Sequence, residues 1–504
     1  MENLRAVIKS RAFMYFVLFM LSLLMACLSN EYDYDLFARL IVGEHFFANW
    51  SLSFHDFLSY TPTHIWYDHE YGASLVYYLF FKAFGHFGLV LIQAILVFLT
   101  TFFVIKTQDL QKNSYPPTLW FSAALILILS HLNPALIRCH LFSFMFFALL
   151  IYMLERIRKY NSKLIYTLPL LIIIWNNTHG GVVAGMGMIF IYMVGEFIRR
   201  KPWKKYLFVL LVSTPLLAVN PWGWDYFNFL ISANTKTRTY VTEWWFVFAK
   251  RHVQYYYPAF IISIFTVSIA LNKKRFDITK FIALLTTTIL GTLHVKLLSL
   301  SVIIAASLYY NEIMKLICNK CIRLMEKTAY VLCIAAMFYI PFAHPYTVLT
   351  NINKFPIAEC EFLKINDIKG NILTEFGLGS YVSYKLYPNN LIYMDGRYEE
   401  CYYDREFDKL IAFIAAEEGW EQAITDYPTQ ILMPEKTTNI YEFLKNRPEW
   451  KLVYDGPCAG VFLPAKIAKK EYKLPFDDLR YYRKTLFDTN GEFGKKDEER
   501  LINE

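Results

Sequence analysis

The hydrophobic segments of this 504-residue chain are joined by two alternating kinds of connection, and that alternation constrains the fold more than any other feature. One set of loops carries the cations. Its members are Arg5, Lys9 and Arg11; Lys106 and Lys112; Arg156, Arg158, Lys159 and Lys163; Arg199, Arg200, Lys201, Lys204 and Lys205; Lys273, Lys274 and Arg275; and Lys315, Lys320, Arg323 and Lys327. The intervening set is rich in Asp, Glu, His, Trp and Asn. Short cation-rich loops stay in the cytoplasm, so the second set lies outside. Apolar runs at 12–29, 87–105, 118–131, 141–154, 163–175, 182–198, 205–219, 257–271, 278–292, 297–311 and 328–343 are the candidate spans. They number about eleven, and several are shorter than the ~20 residues a hydrocarbon core needs, so their ends extend into flanking aromatic residues. With the N-terminus inside and an odd number of spans, everything after Phe342 is outside.

Composition agrees, because 56% of residues are hydrophobic and only 19% are charged, which points to a polytopic α-helical membrane protein. The net charge of +8 follows from topology and gives no support to a nucleic-acid partner. The first apolar run also reads as a signal segment ending at Cys27, but Met25 fits a lipoprotein cleavage site poorly. Eight cysteines form no metal-like array. Cys318 and Cys321 lack a second pair, and Cys360, Cys401 and Cys458 allow at most one disulfide.

Residues 1–345 therefore read as a transmembrane domain with a large first outer loop, 30–72. Past residue 346 the pattern changes to alternating short strands (371–376, 391–394, 430–433, 451–454) and helices (380–386, 404–418). That predicts a small extracytoplasmic α/β domain over 346–470, followed by a charged tail, 471–504.

Candidate chemistry collects in the outer loops. The first holds Glu31, Asp33, Asp35, Glu44, Asp56, Asp68 and Glu70 against the lone Arg39. Asp33 and Asp35 adjoin the first span, where partial desolvation would raise a carboxyl pKa as a general base requires. Alternatively Asp35 caps an interfacial helix presenting Leu36, Leu40, Ile41, Phe46 and Phe47. Asp68, His69 and Glu70 are consecutive and cannot all face one way on a helix. They read either as metal ligands or as a hydrogen-bonded loop anchored by Trp66 and Tyr67. Further outer turns hold His131, Asn133, Arg138 and His140; Asn176, Asn177 and His179; Asn220 and Asp225; and His294 with Lys296. Each alone reads equally well as a cap or an interhelical hydrogen bond. Together, ionisable groups so close to hydrocarbon are functional candidates, and cations with imidazoles suit a lipid phosphate. Gly180 and Gly181 would admit a sugar or chain close to the backbone.

Taken in order, Asp33, Asp35, Gly43, Asp56, Ser59, Tyr60, Thr61, Trp66, His69 and Glu70, then Arg138 with His140, Asn177 with His179, Asn220 with Gly223, Glu243 with Trp244, and Asp395 with Arg397 and Tyr402 form a series. It resembles the bacterial GT-C superfamily of glycosyltransferase-like polytopic membrane proteins, related to the dolichyl-phosphate-mannose protein mannosyltransferase-like group. The resemblance covers most of the chain and departs at His294 and Lys296, where an Arg-rich motif is expected.

What it implies is a membrane enzyme that transfers a sugar from a polyprenyl-phosphate donor to an outer hydroxyl, with inversion. Asp33 or Asp35 would be the base. Arg138, His140, His179, His294 and Lys296 would lie near the phosphate. Asp68, His69, Glu70, Glu243, Asp395 and Arg397 would serve the acceptor or secondary roles, and Asp395 and Arg397 also read as a structural pair. Asp35, Asp68, His69 and Glu243 are candidate ligands for Mg2+ or Mn2+, which hard oxygen donors favour. The implied partners are the lipid-linked donor, membrane lipid, and a glycan, lipid or protein acceptor. The implied location is a bacterial inner membrane, with the N-terminus cytoplasmic and the C-terminal domain periplasmic or extracellular. Two further readings are a carrier for lipid-linked glycans, although no broken helices or related halves are evident, and a catalytically silent relative serving envelope-glycan assembly.

Overall fold

A computed structural model describes residues 10–28, 33–111, 115–132, 137–236, 238, 241–249, 254, 256–272, 277–342, 351–486 and 488–489. Arg5, Lys9, Glu31, Lys112, Asn133, Lys273, Lys274, Arg275 and the tail beyond 489 lie outside the described residues. The chain divides into two compact units, Met1–Asn30 with Val90–Pro345 and Glu31–Leu89 with Tyr346–Glu504. The loop 30–72 thus compacts with the C-terminal segment and with the first half of the helix that follows it.

The first unit is helical, and the helix Tyr71–Asp109 belongs to it only from Val90 on. Arg11–Leu28, Tyr71–Asp109 and His140–Tyr160 are long and apolar enough to cross a membrane, and shorter apolar helices include Leu119–Leu132, Val182–Ile198, Tyr257–Leu271 and Ile278–Leu293. The helix beginning at Tyr71 starts well before the expected span at 87 and kinks at Gly85, whose φ of 58° interrupts it. Leu298–Leu308 is buried at every position, as expected of a helix that is apolar all round. It packs against Ile278–Leu293 and Tyr257–Leu271, and Thr288 and Ser301 hydroxyls meet at 2.9 Å across one of these contacts. Arg158, read above only as a marker of topology, is nearly buried and bonds Glu196 at 2.7 Å, Asp277 at 2.5 Å and Glu155 at 3.1 Å. It ties together the ends of three helices. Cys318 N-caps Asn319–Met337, its sulfur accepting from the Cys321 N–H, so this pair has a local structural use.

The second unit is built on a mixed four-stranded sheet in the order β1 (Ile372–Leu373), β2 (Ile431–Leu432), β4 (Gly460–Pro464), β3 (Trp450–Asp455). β1 and β2 are parallel and the other pairings antiparallel. The predicted strand at 391–394 is reduced to bridges at Ile392, which pairs with Ile372 on one side and Ser59 on the other. The Ile392 N–H donates to Leu58 O and the Tyr60 N–H to Ile392 O, both at 3.0 Å. The first loop is therefore an edge of the sheet. β4 and the helices Ile357–Ile365 and Asn439–Lys445 were not expected from sequence.

The helix Leu36–Asn49 corrects the interfacial reading. Its first two turns are buried on every side, Leu36 through Gly43, and Phe37 packs edge-on against Tyr381 at 4.8 Å. An interfacial helix needs one polar face, and this segment has none over those turns. Cys360, Cys401 and Cys458 are buried free thiols, not a disulfide.

Candidate functional site

Within the first unit, residues from four turns between apolar helices gather. Arg138, just before the helix His140–Tyr160, pairs with Glu243, which sits on the short turn Thr242–Trp244. That turn is held beside the end of Ile278–Leu293 by backbone bonds. Val247 N–H donates to Thr292 O at 2.9 Å and Val295 N–H to Trp245 O at 3.2 Å. His294 Nδ1 lies 2.9 Å from the Trp244 carbonyl, so it carries the proton there and leaves Nε2 as acceptor. Lys296 Nζ stands 3.7 Å from the centroid of the Trp244 ring and the Arg238 guanidinium 4.2 Å from it, both cation–π distances. Burial alone would raise the carboxyl pKa of Glu243, but Arg138 and Lys296 hold it down at about 2.

His140 lies within electrostatic reach of Arg138, Glu243, His179 and Lys296. His179 Nδ1 accepts from the Gly181 N–H at 2.9 Å and lies 2.8 Å from Ser143 Oγ, which in turn accepts from the Trp175 indole at 2.8 Å. The neutral ring therefore carries its proton on Nε2. A Cβ at position 181 would come within 2.2 Å of Ser143 Oγ. Gly181 makes room for this histidine network, where the sequence suggested room for a sugar. Asn176, Asn177 and Asn220 take structural parts, with side-chain amides donating to Leu217 O, Val219 O and Leu217 O.

The second unit brings together a different set. Asp33 Oδ1 accepts from the Asp35 N–H at 3.1 Å. Asp35 stands at the N-terminus of Leu36–Asn49 but makes no side-chain cap; instead its carboxylate abuts Gly396, where a Cβ would lie 2.2 Å from Oδ1. Beside it Arg397, 1% exposed, donates to Asp395 at 2.8 Å, to Asp56 at 2.6 Å and to the Tyr402 hydroxyl at 2.9 Å. The Tyr402 hydroxyl is also 2.6 Å from Ser59 Oγ. Asp395 and Arg397, candidates for the acceptor, are thus sealed from solvent and consumed by each other and by Asp56. Burial would raise the Asp56 carboxyl, and Arg397 pulls it below its ordinary value.

A second network adjoins the first through Trp66, whose ring lies 4.5 Å from the Arg397 guanidinium and whose indole N–H donates to Glu400 at 2.9 Å. Buried Arg39 bonds Asp68 at 2.5 Å and Glu400 at 3.2 Å and approaches Glu70 at 3.6 Å. His69 Nδ1 is 3.0 Å from the other Glu400 oxygen and its Nε2 is 3.8 Å from Glu70. Among the described residues His69, Glu70 and Glu400 have ligand atoms within 4.8 Å of one another, a spacing that could hold a metal. Each of these carboxylates, however, gives one oxygen to Arg39 and turns the other to His69, so the group is nearly charge-balanced by its own cations. Asp68 gives one oxygen to Arg39, and its other oxygen is buried with no hydrogen-bond partner among the described residues. Glu400 is the residue sequence reasoning missed. The only signal was indirect: one arginine among seven acids in its loop needs burial and a partner outside it.

Burial disfavours the His69 cation, but Glu400 and Glu70 more than offset that and lift its pKa to about 9, while Arg39 and His69 hold Glu400 near 2 against its burial. An unfolded imidazole titrates near ~6.5. The stabilisation is therefore complete below that value and is lost as pH rises through about 9. The melting temperature of the second unit should fall between about pH 7 and 9.5, and His69→Gln should flatten the profile. An equally steep fall in the variant would show that the clasp does not act this way.

No protein-family model matches the chain, and no curated protein matches it. Among solved structures it is similar to the cryo-EM structure of arabinofuranosyltransferase AftD from mycobacteria, with a TM-score of 0.48 and 10% sequence identity over 92% of this chain and 40% of that one. The chain thus spans less than half the length of that protein.

Proposed function

We propose that the chain is a membrane glycosyltransferase that moves a sugar from a polyprenyl-phosphate donor to an extracytoplasmic hydroxyl with inversion. The observation that carries this reading is the cluster in the first unit. Arg138, His140, His179, Glu243, His294 and Lys296 come from well-separated turns of the chain and share one site, joined by Arg238. Guanidinium and ammonium groups, with the Nε2–H of His179, are the donors a lipid phosphate recruits. Their role is to stabilise the charge that grows on the departing polyprenyl phosphate. Asp33 or Asp35 takes the acceptor proton, and the resulting oxygen attacks the anomeric carbon from the face opposite the leaving group. The ordered outer motifs that resemble GT-C enzymes support the same assignment.

The test is release of polyprenyl phosphate by the purified chain given a panel of polyprenyl-phosphate sugars. Release from one donor is expected; folded protein that releases from none would sink the proposal. Gly396→Ala offers a finer probe. Its new methyl must push Asp35 aside, and a displacement of about 1 Å costs on the order of 10²-fold in turnover when the displaced group is catalytic. Turnover unchanged in Gly396→Ala would move the base to Asp33.

A further inference from the structure

We propose that residues 466–479 form a lipid-binding strap, by which the second unit rests on a bilayer surface that bears anionic headgroups. Sugar transfer does not require it, and it gives this unit a foothold on lipid apart from the apolar helices.

Three observations carry it. The first is where the apolar surface lies. Ile467, Leu474, Phe476 and Leu479 are 62%, 70%, 73% and 54% exposed, and elsewhere among the described residues of 351–489 only Tyr403 is an exposed large hydrophobic residue. Apolar side chains scattered singly over a surface need no explanation, whereas a concentration in one short run marks a contact site. The second is that the backbone is fixed with these side chains outward. After β4 the chain turns, the Ile467 and Ala468 N–H groups donating to Pro464 O at 3.0 and 3.2 Å. The Asn366 side chain then clamps Lys473, donating to its carbonyl at 2.8 Å and accepting its N–H at 2.9 Å. Tyr472 turns inward, its ring 5.4 Å from that of Phe362 and its hydroxyl accepting the Lys469 N–H at 2.8 Å. Phe476 leans on Tyr481 at 5.3 Å and still leaves most of its surface uncovered. A strap held this way has little backbone freedom to lose on binding. The third is charge. Lys466, Lys469, Lys470 and Lys473 are exposed, against Glu471 alone over 466–473. Asp477 and Asp478 close the run, and Asp478 is occupied in capping Leu479–Thr485. Lysines beside apolar side chains suit an acidic bilayer surface, where stems and rings enter the acyl boundary and ammonium groups stay among phosphates. Lysine is depleted at protein–protein interfaces, so the mixture favours lipid over a second protein. The chain also carries helices long and apolar enough to cross a membrane, which puts a bilayer at hand.

The experiment uses the full chain in nanodiscs of phosphatidylcholine, with or without phosphatidylglycerol. Cys318 and Cys321, which are exposed, are first changed to serine. An environment-sensitive fluorophore is then attached at Phe476→Cys or, as a control on the same unit, at Glu421→Cys, where the native side chain is also exposed. With phosphatidylglycerol present, nitroxide-labelled lipid should quench the label at 476 and spare the one at 421. Lys469→Glu, Lys470→Glu and Lys473→Glu together should cut that quenching about threefold. The melting temperature should not move, because the bonds between Lys473 and Asn366 use the lysine backbone. A label at 476 quenched no more than the one at 421 would overturn the strap. Quenching that is equal without phosphatidylglycerol and unmoved by charge reversal would overturn the anionic surface as its partner. Energy transfer between differently labelled chains mixed in detergent, in place of quenching by lipid, would put a second copy there and overturn the lipid assignment. Should Phe476→Cys not fold, a label at Leu474→Cys faces the same outcomes and is expected to be quenched.

Discussion

Arg397→Met is expected to destabilise the second unit by about 3–5 kcal/mol, the cost of breaking a buried ion pair from one side. The guanidinium is shared by Asp395, Asp56 and the Tyr402 hydroxyl and is packed over Trp66. Methionine fills much of the volume but leaves two buried carboxylates facing each other with no cation. Because Asp56 belongs to the first loop and Asp395 to the C-terminal segment, the variant should open the unit where the two segments meet. Limited proteolysis should then cut between Leu52 and Trp66 before it cuts the membrane helices. Adding Asp56→Asn and Asp395→Asn to the same chain should recover much of the loss, because the uncompensated charges are gone. Wild-type protease resistance in Arg397→Met would show the network to be dispensable.

The second large effect concerns the base. One of Asp33→Asn and Asp35→Asn is expected to lower polyprenyl phosphate release by about 10²–10⁴-fold, the usual contribution of a positioned general base. Donor KM should stay near wild type, since a base acts in the transition state more than in binding. Asp33→Asn retains the oxygen that accepts the Asp35 N–H, so a fall in that variant cannot be laid to loss of the turn. Asp35→Asn keeps the shape that rests on Gly396, so the same logic applies there. If both variants keep full turnover, the first-loop acids are structural and the base lies elsewhere.

How much of this was legible in the sequence depends on the length scale of the interaction. Apolar runs such as 257–271 and 182–198 reappear as Tyr257–Leu271 and Val182–Ile198, because a run of hydrophobic residues bounded by polar ones specifies a helix locally. The grouping of Arg138, His140, His179, His294 and Lys296 came from treating expensive residues near hydrocarbon as related, not from any spacing between them, whereas Glu243, expected among the acceptor or metal residues, is found paired with Arg138. What could not be read was pairing over hundreds of residues. Nothing near Arg39 announces Glu400, and nothing near Ser59 announces Ile392 as its strand neighbour. The buried turns Leu36–Gly43 were misread for a related reason. Burial by a distant segment and burial by lipid select the same apolar residues, and only the buried Arg39 among them favoured protein.

The shared sheet edge has a consequence for how the protein is made. The segment that supplies Ser59, Asp56 and Arg39 leaves the ribosome first, and its partners Ile392, Arg397 and Glu400 follow only after Val90–Pro345 has been synthesised. At ~5–20 residues per second that interval is on the order of tens of seconds. Throughout it, a loop with an unpaired strand edge and an uncompensated set of acids has to wait. Biogenesis is thus set by the last strand to arrive, and a nascent chain stalled before residue 392 would present the first loop as an open edge to whatever meets it first.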